Sequence, residues 1–223
     1  MLDTADINHR IIEATLRLAE RRGWRDLTLA DIAAEAGLTL IDLRDRFESK
    51  AAVLAAFSDS IDRDVLKKFA VQSADSPRDR LFDVILSRFE TMMPYKAAIR
   101  RIVDEGGATL AQLGPALRSQ YWMLTAAGIN AEGTAGTLRV QGLLTLYARV
   151  FRTWLDDEDA GMARTMAVLD RRLRQAEASV ARVERLRDGV MNVMHMFRGG
   201  GQTSAGSETD LSAMRPEPGT SVH

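Results

Sequence analysis

The chain has 223 residues, a length that can bury a real core in one or two domains. Its formal charge is −1, so no global basic signal points to nucleic acid. It has no cysteine, which excludes disulfides, thiol catalysis and Cys-ligated zinc and fits a reducing cytoplasm. The first six residues are acidic with no apolar run behind them, so no signal peptide is expected. No run of about 18 apolar residues occurs, so no membrane span is expected either.

Residues 1–6 read as a loose, disordered end. An amphipathic helix follows, Ile11-Ile12-Glu13-Ala14-Thr15-Leu16-Arg17-Leu18-Ala19, closed by Gly23-Trp24. The stretch from Thr28 to Lys50 then spells two short helices and a tight turn. Thr28 caps the first, with Asp31 at the reciprocal position of a capping box. Ala36-Gly37 ends it, because Gly tolerates the left-handed conformation at a helix C-terminus. Thr39 caps the second, with Asp42 as box partner and Leu40, Leu43 and Phe47 on one side. Two helices joined by a Gly-containing turn form a helix-turn-helix. Ser49 caps a fourth helix, expected from Lys50 to about Ala70.

The break at residues 73–77 carries a start signal: Ser76 as cap, Pro77 as first helical residue, Asp79 nearby. The next helix bears Leu81, Phe82, Ile85, Leu86, Phe89 and Met92. Pro94 restarts the chain, and Tyr95, Ile99, Ile102 and Val103 mark a shorter helix. Another helix is expected from Pro115, with Leu117, Tyr121, Trp122 and Leu124. Residues 128–136 read as a loop, followed by a long helix with Leu143, Tyr147, Val150, Phe151, Trp154 and Leu155. The acids Asp156-Asp157-Glu158-Asp159 oppose the dipole of a helix C-terminus, so they belong in the loop and the first turn of the next helix. That helix is expected from about Ala160 through Leu173 and onward to about Arg198. Residues 199–223, rich in Gly, Ser, Thr and Pro, read as a disordered tail. The expected fold is all-α. Residues 7–57 form a helix-turn-helix domain, 58–175 a helical ligand-binding and dimerisation bundle, and 176–198 a C-terminal amphipathic helix.

The order of elements over residues 7–57 resembles the N-terminal domain of the TetR family of bacterial regulators. The Gly-aromatic after the first helix, the Asp-Ile-Ala-x-x-Ala-Gly core and the Phe-x-Ser-Lys exit carry the resemblance. It implies a homodimer that binds an operator and holds a ligand in a pocket between the helices of its bundle. By that resemblance the DNA-binding residues are Thr28, Thr39, Leu40, Asp42, Arg44, Arg46 and Lys50. The family's phosphate-contacting Tyr is an Arg here. Over residues 1–57, eight basic side chains face ten acidic ones, a net of −2. DNA affinity rests largely on phosphate neutralisation, so this count opposes the expectation.

For the ligand, Phe82, Phe89, Met92, Met93, Tyr95, Tyr121, Trp122, Tyr147 and Phe151 are the candidates, since aromatics and methionines line apolar sites. At helical spacing the same residues also read as plain core. The stripe Leu144, Tyr147, Phe151, Trp154, Leu155 reads equally as a dimer seam or an intramolecular core.

A second resemblance lies in Phe151–Asp157, Thr165–Leu173, Met93-Pro94-Tyr95 and the final helix from Val183 to Phe197. These segments are similar to the Coq-nine family, whose members have a TetR fold and serve as lipid-binding accessory proteins of ubiquinone biosynthesis. That resemblance implies an isoprenoid ligand and peripheral contact of Val183–Arg198 with the inner face of a membrane. It stands as the alternative to a transcriptional repressor. No catalytic constellation, cofactor or metal site is expected: His9, His195 and His223 are scattered, and no nucleophile pairs with a base.

Overall fold

The structure is a computed structural model that describes residues 4–70, 74–107 and 109–179. The amphipathic segment at Val183–Arg198 and the tail at 199–223 lie outside the described residues. No strand occurs among those described.

Helix α1 runs Thr4–Arg22, three residues into the stretch read as a loose end. Its buried Ile11, Ala14, Leu18 and Ala19 follow the helical period. Helices α2 (Leu29–Glu35) and α3 (Leu40–Arg44) form the helix-turn-helix, and Gly37 between them has φ +65°. Both capping boxes form as their sequence implies. Helix α4 (Lys50–Lys68) is capped by Ser49, whose Oγ accepts from the Ala52 amide at 3.1 Å. Helix α5 (Pro77–Met92) starts at the Ser76 cap with Pro77 in its first turn, where a missing N–H costs nothing.

Met93–Tyr95 form one 3-10 turn leading into α6 (Lys96–Asp104). A second 3-10 turn, Leu110–Gln112, leads into α7 (Leu113–Ala126). The helix expected from Pro115 therefore starts two residues earlier, with Gly114 and Pro115 inside its first turn. Helix α8 (Gly133–Asp156) also begins earlier than its glycines suggest. A Cβ on Gly136 would meet the Ala131 backbone at 2.1 Å, so the glycine permits a close approach rather than marking a loop. The final described helix, α9, covers 163–179.

Asp156 closes α8, against the expectation that all four acids would avoid a helix C-terminus, whereas Asp157 and Asp159 in the following loop hold the start of α9. Asp159 Oδ2 accepts from the Ala163 amide at 3.1 Å, and Asp157 Oδ2 accepts from the Thr165 amide at 2.8 Å and hydroxyl at 2.7 Å. Burial works to raise the Asp157 pKa, but these hydrogen bonds outweigh it and hold the carboxyl below its usual value.

The helices up to Glu177 make one unit around one core, with Ile11, Leu43, Val53, Phe89, Trp154 and Leu169 among its buried members. Helix α1 packs on α2, α4 and α6. Helix α4 packs on α5 and α7, and α7 on α5 and α8. Two rods, α4 and α6, thus reach from the helix-turn-helix end toward the bundle.

Candidate functional site

At the helix-turn-helix end, the threonines and Asp42 act first on the backbone. Thr28 Oγ1 accepts from the Asp31 amide at 3.1 Å, and Asp31 Oδ2 accepts from the Thr28 amide at 3.0 Å. Thr39 and Asp42 repeat this at 3.1 Å in both directions. The threonine hydroxyl, then the threonine amide, hold each carboxyl below its ordinary pKa. Leu40 and Ile41, in the first turn of α3, stand 53% and 70% exposed. Arg44 is exposed beside them.

The other two cations are engaged. Arg46 donates to the Asp42 carbonyl at 3.2 Å. Lys50 Nζ donates to the Trp24 carbonyl at 2.8 Å and lies 4.7 Å above the Trp24 ring centre. Partial burial pushes the Lys50 pKa down, against the pull of Asp26. On the neighbouring face, Arg17 and Arg21 pair with Glu35, and Arg22 with Asp31. The acids in the net count are thus partly spent on holding α2 to α1.

A joint ties this end to α6. Glu105 accepts from the backbone amides of Trp24 at 2.6 Å and Arg25 at 2.9 Å, and from Arg101 Nε at 3.1 Å. The Arg25 amide, then the Arg101 side chain, lower the Glu105 pKa. Gly23, at φ +97°, leaves the room: a Cβ there would sit 2.7 Å from the Glu105 carboxylate. Nearby, the Tyr95 hydroxyl donates to Glu13 Oε1 at 2.7 Å, and its ring meets Phe57 edge-on at 5.3 Å. Burial, then the Glu13 carboxylate, push the Tyr95 phenol up to about 12.

Between the rods lies a cavity of about 190 Å³. Helix α4 contributes Leu54, Phe57 and Ser58; α5, Arg88 and Met92; α6, Ile99, Ile102 and Val103; and α8, Tyr147 and Phe151. Gly107 and Gln112 complete the wall. The wall holds a buried charge. The Arg88 guanidinium forms an ion pair with Asp62, both side chains being under a tenth exposed. Arg88 Nη2 donates to Ser58 Oγ at 2.9 Å, and Nε donates to the Tyr147 hydroxyl at 3.1 Å. The Ser119 hydroxyl donates to Asp62 Oδ2 at 2.5 Å. The pair therefore joins α4, α5, α7 and α8. Burial raises the Tyr147 pKa against the opposing pull of Arg88.

Of the ligand candidates read from sequence, Met92, Tyr147 and Phe151 line this cavity. Phe89 stands behind it, fully buried and stacked on Tyr147 at 5.3 Å and on Trp154 at 5.4 Å. Tyr95 sits at the joint. Phe82 and Met93 are half-buried against the core. Trp122 is 42% exposed and lines a separate hollow with Asp59, Arg63 and Arg118. Tyr121 packs edge-on against it at 5.3 Å and hydrogen-bonds Glu132. The sequence reading missed Ser58, Asp62, Arg88 and Ser119. A signal was present: Arg88 falls in the α5 apolar stripe with Leu81, Val84, Ile85 and Met92, and Asp62 sits between Ile61 and Val65. A charge on a buried stripe needs a buried partner.

An N-terminal helix-turn-helix on an all-α body with a cavity between its helices defines a TetR-like architecture. Residues 11–57 match the model of the family described as bacterial regulatory proteins, tetR family. A TetR transcriptional regulator from Nitrosomonas europaea is 23% identical with a TM-score of 0.61, covering 77% of this chain and 98% of its own. A TetR transcriptional regulator from a Rhodococcus species is 21% identical with a TM-score of 0.59, covering 78% and 97%. At such identities the likeness shows the fold. A search of curated proteins finds no match. These comparisons lend no support to the Coq-nine resemblance.

Proposed function

We propose that the chain is a homodimeric DNA-binding transcriptional regulator, a repressor, whose operator affinity is set by an apolar small molecule in the 190 Å³ cavity. One observation carries this reading: α4 and α6 each touch both ends. Helix α4 opens at the helix-turn-helix with Lys50 and lines the cavity with Leu54, Phe57 and Ser58. Helix α6 lines it with Ile99, Ile102 and Val103, and Glu105, just past its end, holds the turn before α2. A molecule seated between them shifts both rods relative to α5 and α8. Two recognition helices then no longer fit successive major grooves, about 34 Å apart.

In this reading the first turn of α3 enters the groove. Arg44 meets phosphate or base edge, Arg46 and Lys50 hold the backbone from half-buried positions, and Thr28, Thr39 and Asp42 set the helix starts. Leu40 and Ile41 offer apolar contact to base methyl groups. Pairing between copies runs through α8, where Leu138 is 69% exposed and Gly142 has open space where a Cβ would be. Cytoplasmic location follows from the role.

The test is binding to DNA from upstream of the chain's own gene, read by fluorescence anisotropy across salt. Arg44→Ala is expected to weaken binding roughly tenfold and reduce the salt slope by about one. No binding by the native chain at low salt overturns the reading.

A further inference from the structure

We infer that the cavity takes a compact, uncharged, single-ring aromatic molecule carrying one oxygen, a phenol or benzyl alcohol in kind. This rests on the reading of the cavity as the effector site. Three observations lead there.

The first is size. At about 190 Å³ the cavity is little larger than the ~150 Å³ engineered apolar cavity that admits benzene. That volume suits one substituted ring and is smaller than a long isoprenoid chain would fill. The second is charge. The one ionised side chain on the wall is Arg88, and Asp62 already balances it. A carboxylate would enter without a spare cation, and an amine without a spare anion. Either would lose its hydration uncompensated. The third is the polar spot. The Tyr147 hydroxyl accepts from Arg88 Nε at 3.1 Å, which leaves its own proton to donate. Tyr147 stacks on Phe151 with ring centres 6.0 Å apart, and Phe57 and Met92 line the same cavity. A ring stacks there and presents one oxygen to Tyr147.

The test uses the full chain, with thermal unfolding and calorimetry against four probes: phenol, toluene, benzoate and a fifteen-carbon isoprenoid alcohol. Phenol and toluene should each raise Tm saturably, by about 5 °C or more at a hundredfold excess over Kd. Benzoate and the isoprenoid should leave it unchanged. Tyr147→Phe should weaken phenol about tenfold and leave toluene as it was, the mark of one lost hydrogen bond. Val103→Phe fills the cavity and should abolish both responses; where it does not fold, Leu54→Phe takes its place. Benzoate or the isoprenoid binding as tightly as phenol, phenol binding unchanged in the filled variant, or no response to phenol and toluene overturns the inference. If phenol binds but leaves operator affinity unaltered, the effector reading fails and the ligand class stands. If another molecule releases the operator while phenol never binds, the regulator reading stands and the ligand class fails.

Discussion

The helix-turn-helix end and the cavity wall are both built around charged side chains, yet the charges do opposite jobs. At the first, Asp31, Asp42 and Glu35 are partly exposed and each restrains one turn or one helix pair. At the second, Arg88 and Asp62 are buried and tie four helices at once. An exposed pair works in high dielectric and is worth little when broken. A buried pair that loses one partner leaves an uncompensated charge in the core. The molecule is therefore locally forgiving where it would read DNA and globally brittle where it would sense a ligand.

Asp62→Ala is the sharpest way to break that contrast. It strands the Arg88 guanidinium and should destabilise the chain by about 3–5 kcal/mol in urea unfolding. The double variant Asp62→Leu, Arg88→Met should recover most of that loss, because it removes the charge along with its partner. A loss under about 1 kcal/mol for the single variant would mean that water reaches the pair.

Gly23→Ala comes next and tests the joint between the two regions. The added Cβ meets both an unfavourable φ of +97° and the Glu105 carboxylate at 2.7 Å. A loss of about 1–3 kcal/mol is expected. It should be accompanied by faster amide exchange at Trp24 and Arg25, whose N–H groups Glu105 now holds. Glu105→Gln, which keeps the shape, should be milder on both measures.

Thr39→Ala touches the helix-turn-helix alone. Loss of the hydroxyl that accepts from the Asp42 amide should lower stability by about 1 kcal/mol. Exchange should quicken in α3 and stay unchanged in α5 and α8, a spread that the Asp62 variant should not show.

The same contrast of range explains what the sequence disclosed. The all-α fold, the two capping boxes, the Ser49 and Ser76 caps and the family likeness of residues 11–57 were legible. Each depends on residues three or four apart, where spacing is diagnostic. The cavity was legible only through Met92, Tyr147 and Phe151. Its wall joins Arg88 to residues 26, 30 and 59 positions away, and no local rule records such distances. Hydrophobicity ranking also misleads there, since it promotes Trp122, which is exposed, and passes over Arg88, which is not. The early start of α8 was missed for a related reason. Gly136 signals a loop by propensity, but its role is contact with Ala131, which lies outside the helix it joins.

The smallest effect expected is one of pH, and it isolates the α3 cap. Thr39's hydroxyl and amide hold the Asp42 carboxyl below its ordinary value of 3.8, so the native state favours the ionised form more than the unfolded chain does. The stabilisation is thus fully present above the unfolded value and fades as pH falls through the lowered native one. The difference in urea midpoint between native chain and Asp42→Asn should hold steady from pH 7 to about 5, then shrink as pH falls below the ordinary value of 3.8. A difference that instead grew on acidification would mean that the protonated carboxyl is the better cap. The Asp42–Thr39 contacts would then be a consequence of helix formation, not one of its causes.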